Sequence, residues 1–161
     1  MARVSRELHL PGVDLTCKVL PVEYKGARSR VLELGHFDVH LALGLAADRT
    51  RPTLERFAMN RMDASIPDEA GYLPVDEEIN PGPLALETTI PVRELANAAV
   101  SAGYPCGVSL SAGLYVCNTV LYTGIETSTH AGFLHVPPAD VFSVDDGVGL
   151  VSLLLGLICK E

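Results

Sequence analysis

A cysteine and a histidine stand in two apolar segments and have the side-chain chemistry of nucleophilic catalysis. Cys117 lies in SAGLYVCN, and His135 follows in GFLHVPP. A thiolate can attack a carbonyl carbon, and an imidazole can accept the thiol proton and later protonate a leaving group. The two residues are therefore candidates for acyl-transfer chemistry, provided that the fold brings their side chains together.

Structural roles for the same residues are also consistent with their local sequence. A cysteine that follows Val116 and precedes Val120 is ordinarily a small core residue. A lone histidine in an apolar strand is more often a satisfied structural residue than a base. Glu55, at the head of a predicted strand, would by itself be a solvated edge charge. The local sequence leaves both interpretations open.

The elements around Cys117 would place its thiol at a helix start. A predicted strand over residues 106–110 and a predicted helix over residues 114–125 are joined by the small residues Ser111, Ala112 and Gly113. Cys117 then falls in the first turn, where backbone N–H groups point outward and the helix dipole favours an anion. This position suits a thiolate nucleophile.

Short apolar runs alternate with helical patterns along the whole chain. We predict helices over residues 25–34, 92–102, 114–125 and 149–160, and strands over residues 15–22, 37–43, 56–62, 106–110 and 132–136. Residues 63–83 are rich in proline and acidic side chains, which predicts a long surface loop. Strands that alternate with helices indicate an α/β fold with a mostly parallel sheet.

Composition indicates one globular domain over residues 1–161. The chain of 161 residues is 48% hydrophobic and 20% charged, which suits one core and is too short for two ordinary domains. Its net charge is −8 with scattered lysines and arginines, so neither nucleic acid nor an anionic membrane is an expected partner. The longest apolar stretch, Val148–Cys159, is shorter than the roughly 20 residues that span a bilayer. The first residues lack a signal-peptide pattern, so we expect a cytoplasmic protein.

The cysteine pattern argues against a metal centre or a disulfide framework. The four cysteines are widely spaced, form no CxxC pair and have no adjacent histidine: Cys17, Cys106, Cys117 and Cys159. We expect four free thiols in a reducing compartment and no bound metal.

Seven short blocks follow one another in a specific order. They are LPV at 20–22, GLAADR at 44–49, LERFAMN at 54–60, DASIPD at 63–68, DEEI at 76–79, SAGLYVCN at 111–118 and GFLHVP at 132–137. No single block is specific. Together, from about His9 to the C-terminus, they resemble the pyroglutamyl-peptidase I family, also called pyrrolidone carboxyl peptidase.

The resemblance implies a cysteine exopeptidase with a triad of Cys117, His135 and Glu55. In that family the matching cysteine is the nucleophile, the histidine is its base, and the glutamate orients the histidine. The chain would remove N-terminal pyroglutamyl groups from peptides through an acyl-enzyme, without a metal or organic cofactor, and would form a homo-oligomer. The implied fold is three-layer α/β/α with a mostly parallel twisted sheet, of the phosphorylase/hydrolase-like type.

The resemblance also implies the residues around the lactam ring of the substrate. These are Leu45, through its backbone, together with Ile66, Tyr115 and Val116. The loop over residues 63–83 would help to wall the site. For Ile66 and Val116, plain core packing is the structural alternative.

The chain departs from the family pattern at two places that bear on activity. The family begins with a strand and a loop similar to TGFEPFGG, and this chain matches only after them, so we expect the first strand and one pocket wall to be missing. After Asp63 and Ala64 the family has an arginine that handles the oxyanion, and here Ser65 stands. Losing such a donor can lower the rate by about 100-fold or more.

Three functional interpretations follow from the matches and the departures together. The first is a working cysteine exopeptidase, because all three triad positions are present. The second is a catalytically weak or inactive relative that binds a small ligand or a partner chain. The third is an assembly module whose exposed sheet surface is covered by a neighbouring subunit.

Overall fold

Helices and strands alternate from Tyr24 onward in the computed structural model, which describes Leu8 and residues 10–160. His9, where the family resemblance was expected to begin, lies outside the described residues. The helices are α1 (Tyr24–Leu34), α2 (Val92–Ser101), α3 (Val116–Thr127) and α4 (Val144–Ile158). The strands are β1 (Phe37–Leu45), β2 (Thr53–Met59), β3 (Ala85–Glu87), β4 (Gly107–Ser111) and β5 (Ser128–Val136).

The five described strands form one mixed sheet. Strand β5 lies between β1 and β2. One edge of β2 pairs first with β5 and then with β3, and the opposite edge pairs with β4. The β1–β5 and β2–β4 pairs are parallel, whereas the β2–β5 and β2–β3 pairs are antiparallel. The predicted three-layer α/β fold is confirmed. The sheet is less parallel than expected, because the loop after β2 returns the chain to the edge of β2 itself.

The two faces of the sheet carry separate apolar clusters. Leu54 and Leu134 face the cluster that holds α2 and α4 against the sheet. Phe133 belongs to the opposite cluster, which includes buried residues of α1 and α3. Because successive side chains of a strand point to opposite faces, Glu55 and His135 lie on the α1 and α3 side. The sheet therefore directs two predicted triad residues towards the helix that carries Cys117.

Four predicted elements differ from the structure, among them the strand predicted over residues 132–136, which begins at Ser128 as β5. Residues 15–22 form no strand, and Val19 is 77% exposed. The predicted strand over residues 56–62 begins earlier, at Thr53, because Thr53 and Leu54 already pair with β5. Helix α4 begins earlier than residue 149, because the Ser143 hydroxyl caps it by accepting a hydrogen bond from the Asp146 N–H group.

Candidate active site

Glu55 and His135 form a buried hydrogen-bonded pair at the junction of β2 and β5. His135 lies opposite Thr53 in the antiparallel register, which places Glu55 two residues along the neighbouring strand. His135 Nδ1 donates to Glu55 Oε1 over 2.8 Å. Glu55 is fully buried, so it is not the solvated edge charge that its local sequence suggested. This bond fixes the tautomer that leaves His135 Nε2 free to act as a base.

Cys117 is the second residue of α3, as the small-residue turn before it predicted. Its Sγ atom packs against the backbone of Gly44, where an added Cβ would come within 3.0 Å of the sulfur. Gly44 in turn lies opposite His135 in the parallel β1–β5 register. Gly44, whose part in this packing sequence analysis missed, therefore leaves space for the Phe133 ring and for the thiol beside it.

The surroundings of His135 favour its protonated form. Burial lowers the pKa of His135, but hydrogen bonds and charges from Cys117 and Glu55 more than offset this effect and raise the pKa to about 9. The Phe133 ring packs against the imidazole with 4.7 Å between ring centroids. An imidazolium at neutral pH can stabilise a neighbouring thiolate and can protonate a leaving amine.

The other cysteines have different environments. Burial raises the pKa of Cys106 to about 11, so this thiol is poorly reactive. Cys17 and Cys159 are exposed, although the sequence placed Cys17 in an apolar strand and Cys159 inside the last helix. Labelling experiments on Cys117 therefore need these two exposed thiols removed.

The four residues expected around the lactam ring differ in exposure. Leu45 and Ile66 are 67% and 61% exposed, and Tyr115 is half-buried. The Tyr115 hydroxyl donates to the carbonyl of Pro67 over 3.1 Å, which brings the Ile66 segment beside the start of α3. Val116 is only 5% exposed and packs in the core, so its main chain rather than its side chain is available to a ligand.

The loop over residues 63–83 is anchored close to the start of α3. Buried Asp68 accepts hydrogen bonds from the backbone N–H groups of Tyr24, Ala70 and Tyr72. The Asp63 N–H group donates to the carbonyl of Leu114 over 3.3 Å. Ser65 lies two residues further along and is exposed. The loop is therefore held where the resemblance placed one wall of the site.

Asn118 is a second residue that sequence analysis missed as a determinant of the site. Its Oδ1 accepts from the Met59 N–H group over 2.8 Å, and its Nδ2 donates to the carbonyls of Met59 and Arg61 over 2.8 and 3.0 Å. The side chain is fully buried. It ties the helix of Cys117 to the end of β2, the strand of Glu55. The sequence signal that could have identified Asn118 is its position directly after Cys117.

Replacing Asn118 by alanine should lower the free energy of unfolding by about 3 kcal/mol, because three partly buried backbone groups lose their hydrogen-bond partner. Urea denaturation followed by circular dichroism measures this loss. Asn97→Ala, on the exposed face of α2, is the matched control and should change stability by less than about 0.5 kcal/mol. Equal stability of the two variants would contradict the role of Asn118.

Metal-binding clusters and membrane-crossing helices are both absent from the described residues. No three or more His, Cys, Asp or Glu side chains there are grouped so that they could hold a metal ion. No helix in this part of the chain has the length and apolar character needed to cross a membrane.

Comparison with known proteins identifies the family that has this fold and this arrangement of side chains. The family model described as Pyroglutamyl peptidase matches residues 7–160. The chain belongs to the pyroglutamyl peptidase family. The resemblance found in the seven sequence blocks is confirmed.

Members of the family from archaea and bacteria are similar to this chain. It is 39% identical over 138 residues to the pyrrolidone-carboxylate peptidase of Thermococcus onnurineus, covering 80% of this chain and 69% of that protein. It is 34% identical over 149 residues to the Bacillus subtilis pyrrolidone-carboxylate peptidase, covering 86% of this chain and 69% of that protein.

Solved structures of family members share the fold. The pyrrolidone carboxyl peptidase of Thermococcus litoralis superposes with a TM-score of 0.88 at 26% identity, covering 99% of this chain and 85% of that chain. The Thermus thermophilus enzyme superposes with a TM-score of 0.85 at 33% identity, covering 96% of this chain and 89% of that chain.

Proposed function

We propose that the chain is a cysteine exopeptidase that removes N-terminal pyroglutamyl groups from peptides. The observation that carries this proposal is the buried hydrogen bond between Glu55 and His135, with His135 influenced by Cys117 at the start of α3. Family membership supports the substrate class, because the relatives are named pyrrolidone-carboxylate peptidases. Side-chain geometry and family thus support the same chemistry.

The reaction proceeds by acyl transfer through the thiol. His135 Nε2 takes the proton of Cys117, and the thiolate attacks the carbonyl carbon of the amide that follows the pyroglutamyl ring. The C–N bond breaks, and the imidazolium gives its proton to the leaving amine of the shortened peptide. Water, deprotonated by His135, then hydrolyses the thioester and releases pyroglutamate. Glu55 holds the imidazole in position and stabilises its charged form throughout.

The oxyanion of the tetrahedral intermediate needs hydrogen-bond donors near Cys117. Tyr115, the N-cap residue of α3, makes no side-chain capping bond, so the first-turn N–H groups of α3 are not capped by it. The Asn118 N–H group already donates to the Tyr115 carbonyl over 3.0 Å, so we assign oxyanion stabilisation to the N–H groups of Val116 and Cys117. Ser65 stands where the family has an arginine, so this chain lacks one charged donor and its turnover should be slow.

Ser65→Arg should raise kcat about 100-fold with little change in KM, because a donor to the oxyanion acts in the transition state rather than on bound substrate. Steady-state kinetics with a chromogenic pyroglutamyl amide measure both constants. Ser101→Arg adds the same charge at an exposed position of α2 and should leave kcat unchanged. A kcat for Ser65→Arg that matches the control would remove residue 65 from the oxyanion site.

The proposed function is tested by the release of amine from two chromogenic substrates, a pyroglutamyl amide and a prolyl amide. The prolyl compound has a similar five-membered ring but lacks the lactam carbonyl and carries a charged amine. We expect turnover of the first only, with the Cys117→Ala protein as the blank. Equal rates for the chain and the blank would refute catalysis and favour a non-catalytic relative. Equal use of both substrates would refute the specificity.

We also propose that the protein is cytoplasmic and forms a homo-oligomer. Exposed Cys17 and Cys159 stay reduced most readily in a reducing compartment, which supports the location. Val19, Leu84 and Leu110 are each more than 60% exposed, and contact with a second copy would cover such apolar surface. Analytical ultracentrifugation tests the association, and a monomer at micromolar concentration would contradict it.

A further inference from the structure

The guanidinium of Arg49 contacts the same carboxylate oxygen that binds the histidine. Arg49 Nη2 lies 3.5 Å from Glu55 Oε1, which also accepts the hydrogen bond from His135 Nδ1. Arg49 Nη2 donates in addition to the Ser109 hydroxyl over 3.4 Å. Arg49 thus extends the line of interacting groups that begins at Cys117 and passes through His135 and Glu55.

The turn that carries Arg49 is attached to the strands of the site. The Ala46 N–H group donates to the carbonyl of Val136, the residue after His135, over 2.9 Å. The Arg49 N–H group then donates to the carbonyl of Ala46 over 3.2 Å. Ser109 lies opposite Glu55 in the parallel β2–β4 register. These contacts hold Arg49 in a fixed relation to Glu55 and His135.

Charge balance explains why Glu55 needs this neighbour. Glu55 is fully buried, and its Oε2 atom has no hydrogen-bond partner among the residues that the structure describes. After His135 has given its proton to the leaving amine, the imidazole is neutral, so the carboxylate would then be a buried unpaired charge without Arg49. A guanidinium keeps its positive charge across the working pH range. Arg49 therefore neutralises Glu55 while the imidazole is neutral.

We propose that Arg49 is a positioning residue that holds the Glu55 carboxylate aimed at His135 Nδ1 and balances its charge. The inference rests on the proposed function, because it assigns to Arg49 a role in the same triad. Arg49 is 30% exposed and contacts Glu55 rather than the reacting atoms. Among the described residues, the ionisable groups that face Glu55 are Arg49 from the turn, His135 from β5 and, through His135, Cys117 from α3.

Replacing Arg49 by methionine should lower kcat about 10- to 100-fold with KM nearly unchanged, because the loss acts through the base rather than through substrate binding. The alkaline limb of the pH–rate profile, which follows the His135 pKa of about 9, should move to higher pH, because removing a positive charge beside the Glu55–His135 pair favours the imidazolium. Arg49→Lys keeps the charge but not the planar guanidinium, so it should restore the alkaline limb and part of the lost kcat.

Arg56→Met is the matched control. Arg56 lies on β2 next to Glu55, is 28% exposed, and pairs with Glu87 over 3.4 Å, close to the Arg49–Glu55 distance. Its partner is 58% exposed, so this pair is solvated and contributes little. The variant should keep the parent kcat and pH profile.

The outcomes separate the inference from the function on which it rests. If the parent chain shows no Cys117-dependent turnover, the proposed function fails and Arg49 has no triad to position. If the parent is active and Arg49→Met matches Arg56→Met in kcat and pH profile, the function stands and the inference fails. A lower kcat with an unmoved alkaline limb and no rescue by lysine would also overturn it, because that pattern indicates a structural role only.

Discussion

Cys117→Ala should abolish the hydrolysis of a pyroglutamyl amide, with a loss on the order of 10⁴-fold or more. Alanine removes the sulfur that forms the acyl-enzyme, and no other described cysteine is placed beside the Glu55–His135 pair. The substitution also removes one of the groups that raise the pKa of His135. Any residual rate would come from binding and from the first-turn N–H groups of α3 alone.

The control for this variant is Cys106→Ala, which removes a buried thiol and should leave turnover unchanged. Iodoacetamide labelling gives a second measurement that is independent of substrate. It requires a Cys17→Ser and Cys159→Ser background, because both of these thiols are exposed. In that background we expect one rapidly labelled cysteine, lost in Cys117→Ala. Unchanged labelling and unchanged turnover would refute Cys117 as the nucleophile.

Glu55→Gln should lower kcat about 10³- to 10⁴-fold while the fold is retained, because glutamine is nearly the same size. The neutral amide cannot stabilise the imidazolium, and its NH₂ group can bind the ring in the wrong tautomer. Glu87→Gln, on the exposed strand β3, makes the same chemical change away from the pair and should have no effect on kcat. Circular dichroism of both variants checks the fold.

The pH dependence gives a sharper test of Glu55. His135 has a pKa of about 9, raised by Cys117 and Glu55 against the effect of burial. Its imidazolium form is therefore lost as the pH rises through about 9, and the parent activity should fall in that range. Without the carboxylate this alkaline limb should move to lower pH. Full activity of Glu55→Gln from pH 6 to 9 would remove Glu55 from the triad.

Local sequence was sufficient to predict the features that depend on residues close to one another in the chain. The small residues before Leu114 predicted a turn and a helix start, and the structure has Cys117 in the first turn of α3. Apolar periodicity likewise located all four helices to within a few residues, except for the start of α4. Helix formation depends on contacts between residues three and four apart, so a short stretch contains the necessary information.

Strand limits and exposure were less predictable from the same patterns. The alternation at residues 15–22 resembles a strand, but the sheet offers it no paired edge in the structure. By its local sequence alone Glu55 would be a solvated charge at a strand end, and it is fully buried. Both outcomes depend on which strands become neighbours, which is a non-local property of the chain.

The amino-acid sequence by itself determined the family, the three-layer class and the identities of Cys117, His135 and Glu55 as candidates, because ordered motifs and local periodicity contain that information. Only the tertiary structure decided that Glu55 and His135 share a hydrogen bond, since the antiparallel β2–β5 register joins segments 80 residues apart. The same holds for Gly44, whose missing side chain makes space for the sulfur. The proposed role of Arg49 also becomes apparent only in the tertiary structure. A buried carboxylate requires a nearby opposite charge, and the fold must supply it.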